Sequence, residues 1–397
     1  MRDAGQRRRF LRASAGATLL WQLPCLAAGA PECANWPAWQ AFCERFLGDG
    51  DRVIDPSSDR AQTVSEGQAY ALFFALVANE RVRFERILRW TEDNLAGGDL
   101  SLRLPAWRWG RHDDGSYGVL DANSASDADL WLVYVLGEAG RLWHERRYLA
   151  LSSVVAERIL REESAILPGL GRSLLPGPRG FATDAQRWRL NPCYAPLFLS
   201  RWMVSRSGDR RWADMLVSNL RLLRESAPRG FAPDWAWYSA GTGAAPTGAS
   251  QINTPGFDGV PVAAVDRVGS YDAVRVYLWL GITAAADPAR AGLLRHFAPM
   301  ADQIERTGVA PRSIDVFDGS VQGEGPSGFS AALLPFLDAL QRDSAVRAQE
   351  RHLQEHPVPA DAYYEQALRL LALGWRERRY LLAADGSLVP AWQRCAE

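Results

Sequence analysis

The sequence predicts an all-α fold, an α/α barrel of six inner helices wrapped by six outer ones, and three patterns carry that expectation. Strongly apolar segments alternate with segments that have a wide charged face. A helix apolar all round is buried on all sides, whereas an amphipathic one lies at the surface. Short links follow the apolar segments and long loops precede them, so the long loops gather at one end of the barrel. Loops gathered on a rigid scaffold are where function usually sits.

In chain order, residues 1–30 read as an export leader. Arg7, Arg8 and Arg9 precede Phe10 and Leu11, a modestly apolar run extends to Leu20, and small residues follow from Ala27 to Ala30. The string RRRFLR has the form of a twin-arginine signal. The run is too short to span a bilayer, so residues 31–397 are expected as one domain, periplasmic or secreted and not inserted in a membrane. Helices are expected at about 35–47, 66–79, 83–95, 127–140, 145–163, 193–206, 209–225, 272–283, 287–302, 329–341, 345–353 and 361–374. The first is outer, with Trp36 and Trp39 at helical spacing turned to the core. The second, GQAYALFFALVAN, is inner; Ser65 is placed as its N-cap and Gln68 completes a capping box, with Glu66 in the first turn. RFERILRWTEDNL is its outer partner. The loop LPAWRWGRHDDGSYGVLDANSAS leads to the inner segment ADLWLVYVLGEAG, and RYLALSSVVAERILREE is outer. GFATDAQRWRLNP leads to the inner CYAPLFLSRWMV. The longest loop, beginning GFAPDWAWYSAG, leads to the inner AVRVYLWLGIT. FSAALLPFLDAL and AYYEQALRLLAL complete the inner ring. Trp, Tyr and Gly in the long loops point to short β structure at that end, except Gly241 to Ser250, which reads as a mobile insertion.

A net charge of −1 over 397 residues argues against a nucleic-acid partner. The 16 Trp suit flat apolar ligand faces such as sugars. All 45 basic residues are Arg, which excludes Schiff-base chemistry and a lysine base. Beyond the leader stand Cys33, Cys43, Cys193 and Cys395; their three possible pairings stay open, and a Cys33–Cys395 bridge would close a very long loop. No cysteine or histidine cluster has zinc spacing, and neither metal nor organic cofactor is expected.

Acids stand at the starts of three inner helices: Glu66, Asp127 in NSASDAD, and Asp272 in GSYDAVRVY. A first-turn acid favoured by the helix dipole is ordinary; three converging on one loop-walled mouth are not. Separated carboxylates beside Trp-rich loops are what glycosidic hydrolysis needs, one protonating the leaving oxygen and another acting on the opposite face of the sugar. The acid must keep its proton, yet a helix N-terminus lowers a carboxyl pKa, so burial or a like charge such as Asp127 has to reverse that.

At these residues the chain resembles glycoside hydrolase family 8. The resemblance runs through NWPAWQAF, RVIDPSSDRAQTVSEGQAYALFFALVAN, RLPAWRWG, LDANSASDADLWLVYVLGEAGRLW, GFAPDW, SYDAVRVYLW, GPSGFSAALLPF and DAYYEQAL. It includes the spaced signature of Ala125 to Asp129 with Trp143 fourteen residues on. It implies an (α/α)6 barrel and an exported, inverting endo-β-1,4-glucanase acting on cellulose chains, alongside the cellulose synthase complex. It implies Glu66 as general acid, Asp272 as general base activating water, Asp127 holding and distorting the sugar, and Arg275 orienting the base or binding a hydroxyl. Trp107, Trp109, Tyr194, Tyr363 and Tyr364 follow as sugar contacts. Leu132, Val133 and Val135 depart from the signature, which touches packing more than chemistry. The insertion from Gly241 to Pro261 puts cleft shape and chain-length preference in question.

The rivals are a glycan-binding subunit without catalysis, a hydrolase of mixed-linkage glucan, xylan or chitosan, and a barrel lyase or epimerase. The last generally wants a His or Tyr acid/base in the cleft, and all five His fall outside the inner-helix starts. HLQEH at His352 to His356 has the form of an inverted zinc motif but sits on a short outer helix. GEGPSG at Gly323 to Gly328 lacks βαβ context and reads as a turn. Asp129 is read as a hydrogen-bonding residue of its helix, not a catalyst.

Overall fold

The alternation of greasy and charged segments sorts the helices into two layers. A computed structural model of the chain describes residues 35–184, 186–240, 256–257 and 267–395. The leader at 1–30, Cys33 and the insertion from Gly241 to Ser250 lie outside the described residues. Twelve helices build the barrel: α1 (Pro37–Phe46), α2 (Ser65–Val77), α3 (Arg81–Leu95), α4 (Ser126–Trp143), α5 (Arg146–Glu162), α6 (Leu197–Ser207), α7 (Arg210–Glu225), α8 (Ala273–Ile282), α9 (Arg290–Thr307), α10 (Ser327–Ala339), α11 (Asp343–Glu355) and α12 (Tyr363–Arg376). The even-numbered helices are inner. Every residue of α4 except Arg141 is buried, as is every residue of α8. By contrast α5 buries only the stripe Tyr148, Ser152, Val155, Ala156, Ile159 and Leu160. Each inner helix packs on the next, α2 on α4 and so on to α10 on α12. The ring closes where the Tyr363 hydroxyl of α12 lies over Gly67 of α2, at a spot a Cβ would fill.

The long loops carry small antiparallel sheets, none of them closed. β1 (Thr63–Val64), β2 (Arg108–Arg111) and β3 (Tyr117–Asp121) form one, and β4 (Ser164–Leu167) with β5 (Gly171–Leu174) a second. A four-stranded sheet holds β6 (Ala182–Asp184), β7 (Arg187–Leu190), β8 (Ala236–Ser239) and β9 (Gly256–Phe257). Strands at Val268–Gly269, Pro311–Asp315 and Val321–Glu324 form another. The pairing of β1 with β2 matters most for the site, because it fixes where α2 begins: Ser65 N–H donates to Trp107 C=O at 2.9 Å.

Two local expectations fail for tertiary reasons. Ser65 is not the N-cap of α2; Val64 is, with no side-chain cap. Gln68 makes no capping box because its amide turns inward, accepting from Val53 N–H at 2.7 Å and donating to Thr91 Oγ1 at 3.0 Å. α6 starts at Leu197 and not near 193, because Asn191 Oδ1 accepts the Cys193 N–H at 3.0 Å and Pro196 stands at the N-cap. That turn keeps Tyr194 in the loop. Trp36 and Trp39 are core, as expected. Cys43 and Cys193 are free and buried, and Cys395 is disulfide-bonded. No helix among the described residues is long and apolar enough to cross a membrane.

Candidate active site

Three inner-helix starts bring their acids to one place. Glu66 is the second residue of α2, Asp127 the second of α4, and Asp272 the N-cap of α8. Arg275, one turn into α8 and 5% exposed, is the hub. It donates Nη1 to Asp127 Oδ2 at 2.9 Å and Nη2 to Asp272 Oδ1 at 2.5 Å. Nη1 also reaches the Tyr70 hydroxyl at 3.4 Å. Three carboxyls and one guanidinium leave an excess of negative charge, and the fork of Arg275 serves only two of the three.

Glu66 is the one outside the fork. Its hydrogen bond from Ser65 Oγ is long, at 3.4 Å. Burial first, then the charge of Asp127, push its carboxyl up to about 8, against the pull of its own backbone N–H and of Arg275. The helix N-terminus therefore loses to desolvation and a like charge. Asp127 is 2% exposed; burial raises its carboxyl, opposed by Arg275. Its Oδ1 accepts the Ala128 N–H at 2.8 Å.

Asp272 is partly open and is held from two sides, by Arg275 and by Asn191, whose Nδ2 donates to Oδ2 at 3.0 Å. The backbone beneath it is held by Asp234. One oxygen, Oδ1, accepts the N–H groups of Ser270, Asp272 and Ala273 at 2.8, 3.0 and 2.8 Å. Asp234 thereby does for α8 what an N-cap side chain does for other helices. Burial, then the Asp272 charge, push the Asp234 carboxyl up to about 6.

The aromatic residues divide. Tyr194 lies beside Arg275, with the guanidinium 5.8 Å from its ring centroid, and packs on Trp235 at 5.9 Å. The Tyr364 hydroxyl donates to Tyr271 C=O at 2.5 Å, and Tyr271, next to Asp272, is 51% exposed. Tyr363 is buried with Phe42 and Phe46, its hydroxyl against the first turn of α2. Trp107 is tied to that turn through its carbonyl and carries Arg108 at 5.2 Å from its ring. Trp109 belongs elsewhere: it stacks on Tyr117 at 5.4 Å and meets Trp90 and Arg52. A register shift between Arg108 and Trp109 separates it from Trp107. Sequence reasoning missed Asp234, Asn191 and Tyr271. The available signals were the acid in GFAPDW and the Asn-Pro pair before Cys193.

Residues 13–378 match the family model described as glycosyl hydrolases family 8. An endoglucanase of Escherichia coli O157:H7 is 44% identical over 373 residues, 94% of this chain and 96% of that protein. One from Xanthomonas axonopodis pv. citri is 43% identical over 391 residues, 98% of this chain and 97% of that protein. Among solved structures, an endo-1,4-D-glucanase from Vibrio fischeri ES114 superposes with a TM-score of 0.79 at 40% identity, covering 90% of this chain and all of that one. The endo-β-1,4-glucanase CMCax of Acetobacter xylinum shares the fold, with a TM-score of 0.66 at 22% identity over 85% of this chain and 96% of that one.

Proposed function

We propose that the chain, which belongs to glycosyl hydrolases family 8, is an inverting endo-β-1,4-glucanase with Glu66 as general acid and Asp272 as general base. The observation that carries this reading is the unequal sharing of Arg275. Asp272 is paired with it as a hydrogen-bond acceptor, while Glu66 lies outside the fork and is pushed up to about 8. A carboxyl that keeps its proton beside one presented as an acceptor is the division of labour that glycoside hydrolysis requires. Glu66 donates its proton to the glycosidic oxygen as the bond to the anomeric carbon breaks. A water attacks that carbon from the opposite face, and Asp272 takes the water's proton, which gives inversion. Asp127 raises Glu66, pairs with Arg275 and holds the sugar at the point of cleavage. Tyr194, Tyr364 and Trp107 offer faces to neighbouring sugars, with Trp109 and Tyr363 in lesser roles.

Relatives named as endoglucanases, matched nearly end to end, support β-1,4-glucan as substrate. Export through the leader at 1–30 and work on nascent bacterial cellulose beside its synthase complete the reading. The disulfide at Cys395 supports an oxidising destination. The test follows viscosity and reducing ends together on carboxymethyl cellulose, with the anomeric form of the first product read by proton NMR. A fast viscosity drop with an inverted product is expected. No turnover on cellulose, mixed-linkage glucan, xylan or chitosan would sink the hydrolase reading in favour of a glycan-binding subunit; a retained anomer would remove the role of Asp272 as base.

A further inference from the structure

Asp129, on α4, and Glu163, at the C-terminal end of α5, are both fully buried. Among the described residues, no N–H or hydroxyl donates to either oxygen of Asp129 or to Oε2 of Glu163. The two carboxyls neighbour each other, near enough for a hydrogen bond once one of them carries a proton. Two ionised carboxylates have no hydrogen to share, so the orphaned oxygens of this buried pair are satisfied only when one of the two is the acid. The charged groups facing the pair do not relieve it: Asp127 and Glu66 face Asp129, and Asp127 and Glu162 face Glu163.

The pair also joins three segments around Asp127. Glu163 Oε1 accepts from Ser124 Oγ at 2.6 Å, just ahead of α4. The backbone C=O of Glu163 accepts the Leu175 N–H at 2.8 Å, and the next carbonyl, that of Pro176, accepts the Ser126 N–H at 3.0 Å. The end of α5, the chain beyond β5 and the first turn of α4 are thus tied together beside the pair, Ser124 by the Glu163 carboxyl and the rest by backbone. Asp127 sits in that first turn.

We propose that Asp129 and Glu163 hold a single proton between them at neutral pH, and that this acid–carboxylate pair positions Asp127 and, through it, the Arg275–Asp272 arrangement. The proposal rests on the assignment of Glu66 and Asp272 as acid and base, and it adds two positioning residues. Burial raises both carboxyls, Asp129 well above its usual value and Glu163, against the bond from Ser124, to about 8. With one proton the pair carries a single negative charge and a bond. Without it, two buried carboxylates repel each other and release Ser124 and the α4 start.

The first test is infrared spectroscopy at pH 7 on Glu66→Gln protein, from which the acid of the site has been removed. A deuteration-sensitive carboxylic-acid C=O band is expected that disappears when Asp129→Asn is added. No carboxylic-acid difference between the two proteins would overturn the shared proton. The second test follows thermal stability against pH in the same two proteins. A carboxyl raised on folding binds its proton more tightly in the native state, so its contribution is present at acid pH and is lost as pH climbs through the raised value. The Glu66→Gln protein is expected to lose stability from about pH 4.5 to 8 more steeply than the double variant, and equal slopes would count against the pair. The third compares variants in the otherwise native chain. Asp129→Asn, whose amide can donate to Glu163, keeps kcat within about threefold, whereas Asp129→Ala loses on the order of 100-fold in kcat with little change in KM. Equal kcat in the two would overturn the positioning role. Should the alanine variant not fold, the first two readouts still decide. Neither of those needs turnover, so their failure leaves the assignment of Glu66 and Asp272 standing, and the loss of that assignment leaves them readable.

Discussion

At Glu66 two groups remote in sequence, Asp127 and Arg275, act in opposite senses on one carboxyl, and burial decides between them. With Glu66 as the proposed general acid, kcat/KM is expected to fall as pH rises through about 8. Asp127→Asn removes the like charge, lowers the Glu66 pKa and moves that alkaline limb to lower pH; a limb that stays put would contradict the account. Glu66→Gln and Asp272→Asn are each expected to cost on the order of 10²–10⁴ in kcat, measured on carboxymethyl cellulose. Asp234→Ala strips the acceptor from three backbone N–H groups beneath Asp272. A fall of about 10²-fold in kcat with near-native KM is expected from displacement of Asp272, the proposed base. Glu66, Asp127 and Asp272 were legible because acids at helix starts are visible in the sequence. Asp234 and Asn191 were not, because their partners lie 38 and 81 residues away and nothing local marks the approach.

Among the elements, glycines set how closely inner helices meet. A Cβ on Gly67 would meet the Tyr363 hydroxyl, and one on Gly281 of α8 would meet the backbone of Pro335 and Phe336 in α10. Gly67→Ala has to displace a buried tyrosine next to Glu66, so it is expected to cost about 1–3 kcal/mol and some activity. Gly281→Ala meets backbone instead of a side-chain tip. It is expected to be the more destabilising of the two in thermal unfolding, with the smaller effect on the pH profile. The helices themselves were legible because twelve apolar or amphipathic runs of the right length are local facts. Their starts were less so: Gln68 has the spacing of a capping box, yet Val53 and Thr91 offer its amide buried partners.

Across the whole molecule, a buried carboxylate helps bind the C-terminal hairpin Tyr380–Leu382 and Leu388–Pro390 into the barrel, beside bonds from the Tyr134 hydroxyl to Gly386 C=O and from Arg141 to Leu388 C=O. Glu138 of α4 is fully buried, pairs with Arg141, and accepts from Trp202 Nε1 at 2.7 Å and from Leu388 N–H at 2.7 Å. Glu138→Ala leaves those donors without their acceptor and is expected to destabilise the protein by about 3 kcal/mol. The check is a lowered Tm by circular dichroism with kcat unchanged well below it. The sequence by itself determined the alternation of buried and amphipathic helices, the end of the barrel where loops collect, and the acids at that end. Each follows from residue type and period along the chain. Only the tertiary structure decided which carboxyl is pushed up, because a pKa depends on burial and on charges brought close from distant segments. Asp129 and Glu163, 34 residues apart in the chain, became neighbours for the same reason: the fold removed both from water and left both oxygens of Asp129 and one of Glu163 without a donor.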